Sequence, residues 1–282
     1  MHRCLSALPR PELRPYVRAF AQREISSSAP DIMEPVFAGL ESTLELDFKN
    51  SPLVEYVSGV TGLCWPVSVV GPHTHRRAWI RLRGPVESFG VFFRPLALWQ
   101  LFHVPTALLV NRAYTADAIL GNEIMPLWQR MAECTSFRQR VCLMEEYLLR
   151  RVANLIDRTA VLSSALHVLR LGGASSISQL AHDAALGVRQ FERRFVQEVG
   201  MGPKLFARIA RYQSALDSKL AFPGRSWLWI AHEFGYHDQM HMIRDFHSLG
   251  GSSPGDMLLH IGDMRPPASD GSSEYPIQNT TA

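Results

Sequence analysis

Gly235-Tyr236-His237-Asp238-Gln239-Met240-His241-Met242-Ile243-Arg244-Asp245-Phe246 repeats a pattern that the chain already carries at Ala185-Leu186-Gly187-Val188-Arg189-Gln190-Phe191-Glu192-Arg193-Arg194-Phe195. A shift of 51 lays Phe191 on Met242, Phe195 on Phe246, Gly200 on Gly251 and Pro203 on Pro254. Ahead of the turn the shift is 50, and Leu180-Ala181-His182-Asp183 falls on Ile230-Ala231-His232-Glu233. One residue has therefore been inserted in one turn. The repeated unit reads as a short helix, a tight turn and a second helix, the pattern of a helix-turn-helix.

The second helix of each unit has an inner and an outer side. At 100° per residue, Phe191 with Phe195, and Met242 with Phe246, stack one turn apart and should be buried. Arg189 and Arg193 stand opposite the first pair, and Met240 and Arg244 opposite the second, with His237 close by. Arginine presents a rigid fork of donors that fits guanine O6 and N7 or a phosphate, and a methionine can lie against a thymine methyl. Both outer faces have the chemistry of a base reader.

The segment from about Ser163 to Gly262 resembles the DNA-binding domain of the AraC/XylS family of bacterial transcription regulators. The resemblance is carried by Ile230-Ala231, Gly235-Tyr236, Asp238-Gln239, His241, Ile243-Arg244-Asp245-Phe246 and Ser253-Pro254-Gly255. It implies about seven helices with two helix-turn-helix units, and two recognition helices entering neighbouring major-groove segments of an operator. Carried over by position, the implied DNA contacts are Arg189, Gln190 and Arg193 in the first unit and Gln239, Met240 and Arg244 in the second. Arg194 and His241 complete the set, His241 on the phosphate side or in local packing. The resemblance also admits a small-molecule effector, RNA polymerase and a second copy of the chain as partners.

The chain departs from that family at its caps. Gly187 stands where Ser or Thr commonly caps the first recognition helix, whereas Asp238 can accept from the free amides of the second. Glu192, at the edge of the first reading face, would repel phosphate or accept from a cytosine amino group.

A chain of 282 residues suggests two domains, read here as 1–157 and 158–264 with a disordered tail at 265–282. With 46% hydrophobic and 20% charged residues it is ordinary globular material. Its net charge is only +3, and residues 163–262 hold ten Lys and Arg against eight Asp and Glu, or +2. Charge alone would not point to nucleic acid; the duplicated motif does. Cys4, Cys64, Cys134 and Cys142 show no C-x-x-C spacing, nothing at the start resembles a signal peptide, and no apolar run approaches a membrane span. A cytoplasmic location with free thiols is expected.

The first half reads as an antiparallel β barrel or sandwich with helices, giving an α+β chain. The prolines at 9, 11 and 15 prevent a regular helix, and the strand pattern begins at Ile32. Leu44, Leu46 and Phe48 alternate with Glu45 and Asp47, one face apolar and the other acidic. Further strands are expected at 54–60, 67–70, 78–83 and 86–93, broken at Gly71-Pro72 and Gly84-Pro85. Helices should follow from Pro95 through Phe102, and over 115–120, 123–133 and 137–155. The stripe Val141, Met144, Tyr147, Leu148 and Val152 on the last is either a dimer seam or an inward face. A long helix from Pro203 to about Leu220 would fix the spacing of the two reading helices.

Two constellations suggest metal. His237 and His241 have H-x-x-x-H spacing, but Asp238 is better used as a cap and a third ligand is missing. His73 and His75, at i and i+2, would share a face on a strand and could ligate one ion, as in a cupin-like enzyme. No Glu follows them at a ligand spacing, and a solvated loop pair is the plain alternative. No cofactor is expected.

Overall fold

The computed structural model describes residues 2–155 and 159–260. The junction at 157–158 and the tail at 265–282 lie outside the described residues.

Strands β1 (His2–Ala7), β2 (Val17–Ile25), β3 (Ile32–Val36), β4 (Ser42–Asp47), β5 (Leu53–Tyr56), β6 (Thr61–Leu63), β7 (Val67–Val70), β8 (Ala78–Leu82) and β9 (Val86–Phe93) come first. They are followed by α1 (Ala97–Phe102), α2 (Thr106–Leu109), β10 (Ala113–Thr115), α3 (Ala116–Leu120), α4 (Ile124–Ala132) and α5 (Phe137–Val152). One sheet runs β1-β2-β9-β4-β7-β10 and the other β3-β8-β5-β6, and every pairing is antiparallel.

β4 shows why the layers form. Leu44 and Leu46 turn to a core shared with Phe20, Phe89, Val91 and the helices, whereas Thr43, Glu45 and Asp47 turn to the space between the two sheets. Met144, Tyr147 and Leu148 of α5 enter that same core, so the stripe is an inward face rather than a dimer seam. Arg140 fixes the helix to the sheet: it is buried, donates to Gln22 Oε1 at 2.9 Å, pairs with Glu87 at 2.7 Å and lies over the Phe48 ring.

Three expectations need correction. The strand over 54–60 is a hairpin: Gly59, at φ 84°, turns the chain so that Tyr56 N donates to Val60 O at 2.8 Å. β1 and β2 precede Ile32, which the prolines concealed. β2 is a central strand covered on both sides, so Val17, Arg18, Ala19 and Phe20 are all buried and alternation is lost. The helix after Pro95 begins at Ala97, because Leu96 is left-handed at φ 69°.

Among the described residues the C-terminal part has seven helices: α6 (Ala160–Arg170), α7 (Ile177–Asp183), α8 (Val188–Val199), α9 (Pro203–Ala221), α10 (Trp227–Glu233), α11 (Gln239–Gly250) and α12 (Pro254–His260). Their core, built on Phe191, Phe195, Phe206, Tyr212, Met242 and Phe246, also takes in Ala38, Leu40 and Leu96 from the strand-rich part. The two parts therefore share one apolar cluster. Among the described residues no helix is long and apolar enough to cross a membrane.

Candidate nucleic-acid interface

The repeat seen in sequence is reproduced in three dimensions. α7 and α10 start and end 50 residues apart, α8 and α11 start and end 51 apart. Between them Leu186 N donates to Ala181 O at 2.9 Å, and Tyr236 N to Ala231 O at 2.9 Å, still at a spacing of 50. His237, which follows Tyr236 and precedes the cap, is therefore the inserted residue. Asp238 caps α11: its Oδ1 accepts from His241 N at 2.6 Å, while Gly187 offers α8 no side-chain cap. That bond, with His237 beside it, holds the Asp238 carboxyl below the usual range.

The inner and outer faces fall as the periodicity requires. Phe191, Phe195, Met242 and Phe246 are fully buried. Arg189, Gln190, Arg193 and Arg194 are exposed along α8, and Gln239, Met240 and Arg244 along α11. Met240 is 56% exposed, which leaves it free to meet another surface.

The repeat is broken on one flank. His241 occupies the place that Gln190 holds in α8, yet it is half-buried, its ring edge-on to Tyr236 with centroids 5.5 Å apart. Asp245 occupies the place of Arg194, yet it is buried and takes Arg208 Nε of α9 at 2.5 Å. This tie, of which the sequence carries no local sign, pins α11 to α9. α9 has 19 residues and is roughly 28 Å long.

The His237/His241 spacing is used for capping and packing. His73 and His75 do not lie on a strand, since the Gly71-Pro72 break leaves His73 as an isolated bridge to Gly39, with His75 exposed beside Thr74. Burial and the nearby Arg77 push the His73 imidazole down to about 4. Among the described residues no group of three or more His, Cys, Asp or Glu is placed to hold a metal ion.

A cavity of about 600 Å³ lies between the two sheets. Glu34, Glu45, Asp47 and Arg23 are on its wall, together with Val36, Phe37, Gly39, His73 and Arg77. Residues 38–40 also touch the helical part: Ala38 N donates to Leu249 O at 3.1 Å, and Leu40 N to Gln213 Oε1 at 3.1 Å. One short segment thus faces the cavity on one side and α9 and α11 on the other. The acidic side of β4 was visible in the sequence; that it faces a cavity was not, because nothing local reveals the second sheet.

Residues 180–259 match the model of a family described as a helix-turn-helix domain, and residues 5–115 match one described as a domain of unknown function (DUF6597). The chain carries an AraC-type helix-turn-helix domain. With that domain the chain is a DNA-binding transcription regulator. No curated protein matches it. Among solved structures, a single-substitution form of apo ToxT from Vibrio cholerae aligns at TM-score 0.51 and 9% identity, over 90% of this chain and 100% of that one. Wild-type ToxT with unsaturated fatty acid bound aligns at TM-score 0.50 and 8% identity, over 94% and 97%. At such identity the likeness concerns the fold: strands first, then the two helix-turn-helix units, along nearly the whole chain.

Proposed function

We propose that this regulator reads DNA with α8 and α11 together, in two adjacent major-groove segments, through Arg189, Gln190, Arg193 and Arg194 on one helix and Gln239, Met240, His241 and Arg244 on the other. The observation that carries the reading is the pair of outward faces 51 residues apart on helices of equal length, with the single long helix α9 between the two units. A rigid spacer makes the second contact intramolecular once the first has formed, which raises its effective concentration. The division of labour is residues 1–157 for sensing and 158–264 for DNA, without catalytic activity. The cavity between the sheets is the effector site, and segment 36–40 with residues 73–77 carries its state to the helices. A ToxT structure with unsaturated fatty acid bound supports a small molecule as the effector class.

Footprinting on a fragment selected from genomic DNA tests this. Two protected segments about one helical turn apart are expected, with Arg193→Ala weakening only one of them. Compared at saturating protein, where overall affinity no longer limits occupancy, a single protected segment for the wild type or equal weakening of both by Arg193→Ala would reject the two-helix reading.

A further inference from the structure

We infer that the cavity is built for an organic cation: a protonated nitrogen on an apolar body, seated head-first against Glu45 and Asp47. The inference rests on the reading of this cavity as the effector site and specifies what enters it.

Most of the wall is apolar, with Val36, Val54, Ile80, Leu82, Trp65 and Phe92 on it, so the body of a ligand gains by burial there. The polar groups are unevenly satisfied. Arg23 pairs with Glu34 at 3.2 Å, and Arg18 with Glu41 at 2.6 Å, which uses these guanidinium charges. Arg77 lies over the Tyr56 ring and Arg112 donates to the Tyr114 hydroxyl. Glu45 and Asp47 are left with hydroxyls only, Thr43 for the first and Ser51 for the second. Among the described residues no cation lies within ion-pair distance of either. Asp47 is only 3% exposed, and on the same wall Glu34 Oε1 and Arg23 Nε have no hydrogen-bond partner.

Around Glu45 and Asp47 themselves, carboxyl oxygens outnumber the hydroxyls that reach them, whereas Arg77, Arg112 and His73 stand elsewhere on the lining. A primary ammonium supplies three donors and one positive charge and has no acceptor, which complements these two carboxyls. Two carboxyls at i and i+2 on one strand face lie roughly 7 Å apart, close enough to share one head group. Gly90, opposite Glu45 on β9, keeps the space open: a Cβ there would stand 3.3 and 3.4 Å from the two Glu45 carboxyl oxygens.

The acid-base state of the empty site agrees. Enclosure, then the charge of Asp47, push Glu45 up to about 8, against the opposing pull of Arg23, and Glu34 adds to the rise. Enclosure pushes Asp47 up to about 6 and the Cys64 thiol up to about 11. The cross-strand neighbours of Glu45, Ser68 and Gly90, are uncharged. At neutral pH Glu45 is therefore protonated in the empty protein, and an ammonium entering would displace that proton. Affinity should rise as pH goes from 6 to 8.5.

The test is calorimetric titration of the full chain with phenethylamine and tryptamine and, as matched anions, hydrocinnamate and indole-3-propionate. Affinity for a selected genomic DNA fragment is measured in parallel. The amines should bind, more tightly at higher pH, and Glu45→Gln should weaken them at least tenfold; Asp47→Asn serves as a second variant should the first fold poorly. Equal binding of amines and carboxylates, amine binding indifferent to both variants, or no binding of any probe overturns the inference. Carboxylates that bind alone and alter DNA affinity would sink the cation and keep the effector site. Amines that bind as expected but leave DNA affinity unmoved would keep the cation and sink the effector reading.

Discussion

Gly200 and Gly251 occupy the same place in the two repeats, each ending a reading helix in the left-handed conformation, at φ 84° and 79°. Both are approached by the first part of the chain, Gly200 by α2 and the exposed Gly251 by the Arg76 side chain. A Cβ on Gly200 would come within 2.7 Å of Ala107 Cα in α2 and 2.5 Å of Val110, and one on Gly251 within 2.7 Å of Arg76 Nε. The first part of the chain therefore presses on both reading helices at once, at equivalent points, which is a physical route by which its state can alter their separation.

Gly200→Ala and Gly251→Ala should differ because of what each new methyl meets. Both add the left-handed strain of about 1–2 kcal/mol. At Gly200 the obstacle is α2 backbone, which moves only as a unit; at Gly251 it is the Arg76 guanidinium, which can swing aside. Thermal unfolding should show the larger loss for Gly200→Ala. Equal losses would mean that α2 is not held against α8.

Ala185 takes the left-handed turn position that Gly235 holds in the second unit, at φ 53° against 68°. Relief of that strain exceeds the extra chain entropy that glycine brings to the unfolded state. Ala185→Gly should stabilise the protein by about 0.5–1 kcal/mol, read from denaturant midpoints. Gly235→Ala should do the reverse, and a neutral Ala185→Gly would count against the turn geometry.

Legibility in the sequence followed the range of the forces involved. The helix-turn-helix units were readable because their signals are local: Phe191 and Phe195 one turn apart, a cap at Asp238, glycines at the helix ends. β7 and β9 fall at the residues expected, since Val67–Val70 and Val86–Phe93 are apolar runs between proline breaks. β2 was not readable, because a strand covered on both faces loses its alternation. The cavity depends on two sheets that meet only in the fold, so Arg23 and Glu34 gave no sign. The Asp245–Arg208 tie was hidden for a similar reason: Asp245 sits where the repeat would place an outward Arg194 counterpart, and only packing on α9 turns it inward.

Stability should depend on pH through the cavity carboxyls. Glu45 and Asp47 hold their protons more tightly folded than unfolded, so their contribution is complete at low pH and is lost as pH rises through about 6 for Asp47 and about 8 for Glu45. His73, pushed down to about 4, acts in the opposite sense between 4 and 6.5. Above 6.5 only Glu45 remains of the three. The melting temperature of the ligand-free protein should fall from pH 6.5 to 8, and Glu45→Gln should flatten that fall. A wild-type profile that is flat or rising over this window would show that Glu45 is ionised in the empty cavity.

Arg244 and Arg193 are matched outward positions of the two reading helices, 51 residues apart, but their helices are anchored differently. α11 starts at a side-chain cap and is tied to α9 through Asp245, whereas α8 has no side-chain cap and is tied through Glu198 to Thr159 at the start of α6. A base contact made from a capped first turn loses less on ordering, so α11 should contribute the sharper selectivity and α8 the more adaptable contact. Arg244→Ala should cost about 1–3 kcal/mol of specific binding and relax selectivity at one base position. Arg193→Ala should weaken binding with a smaller change in selectivity. Competition binding against a randomised site library measures both quantities. If Arg244→Ala bound the selected site with wild-type affinity, the outward face of α11 would not be a reading surface.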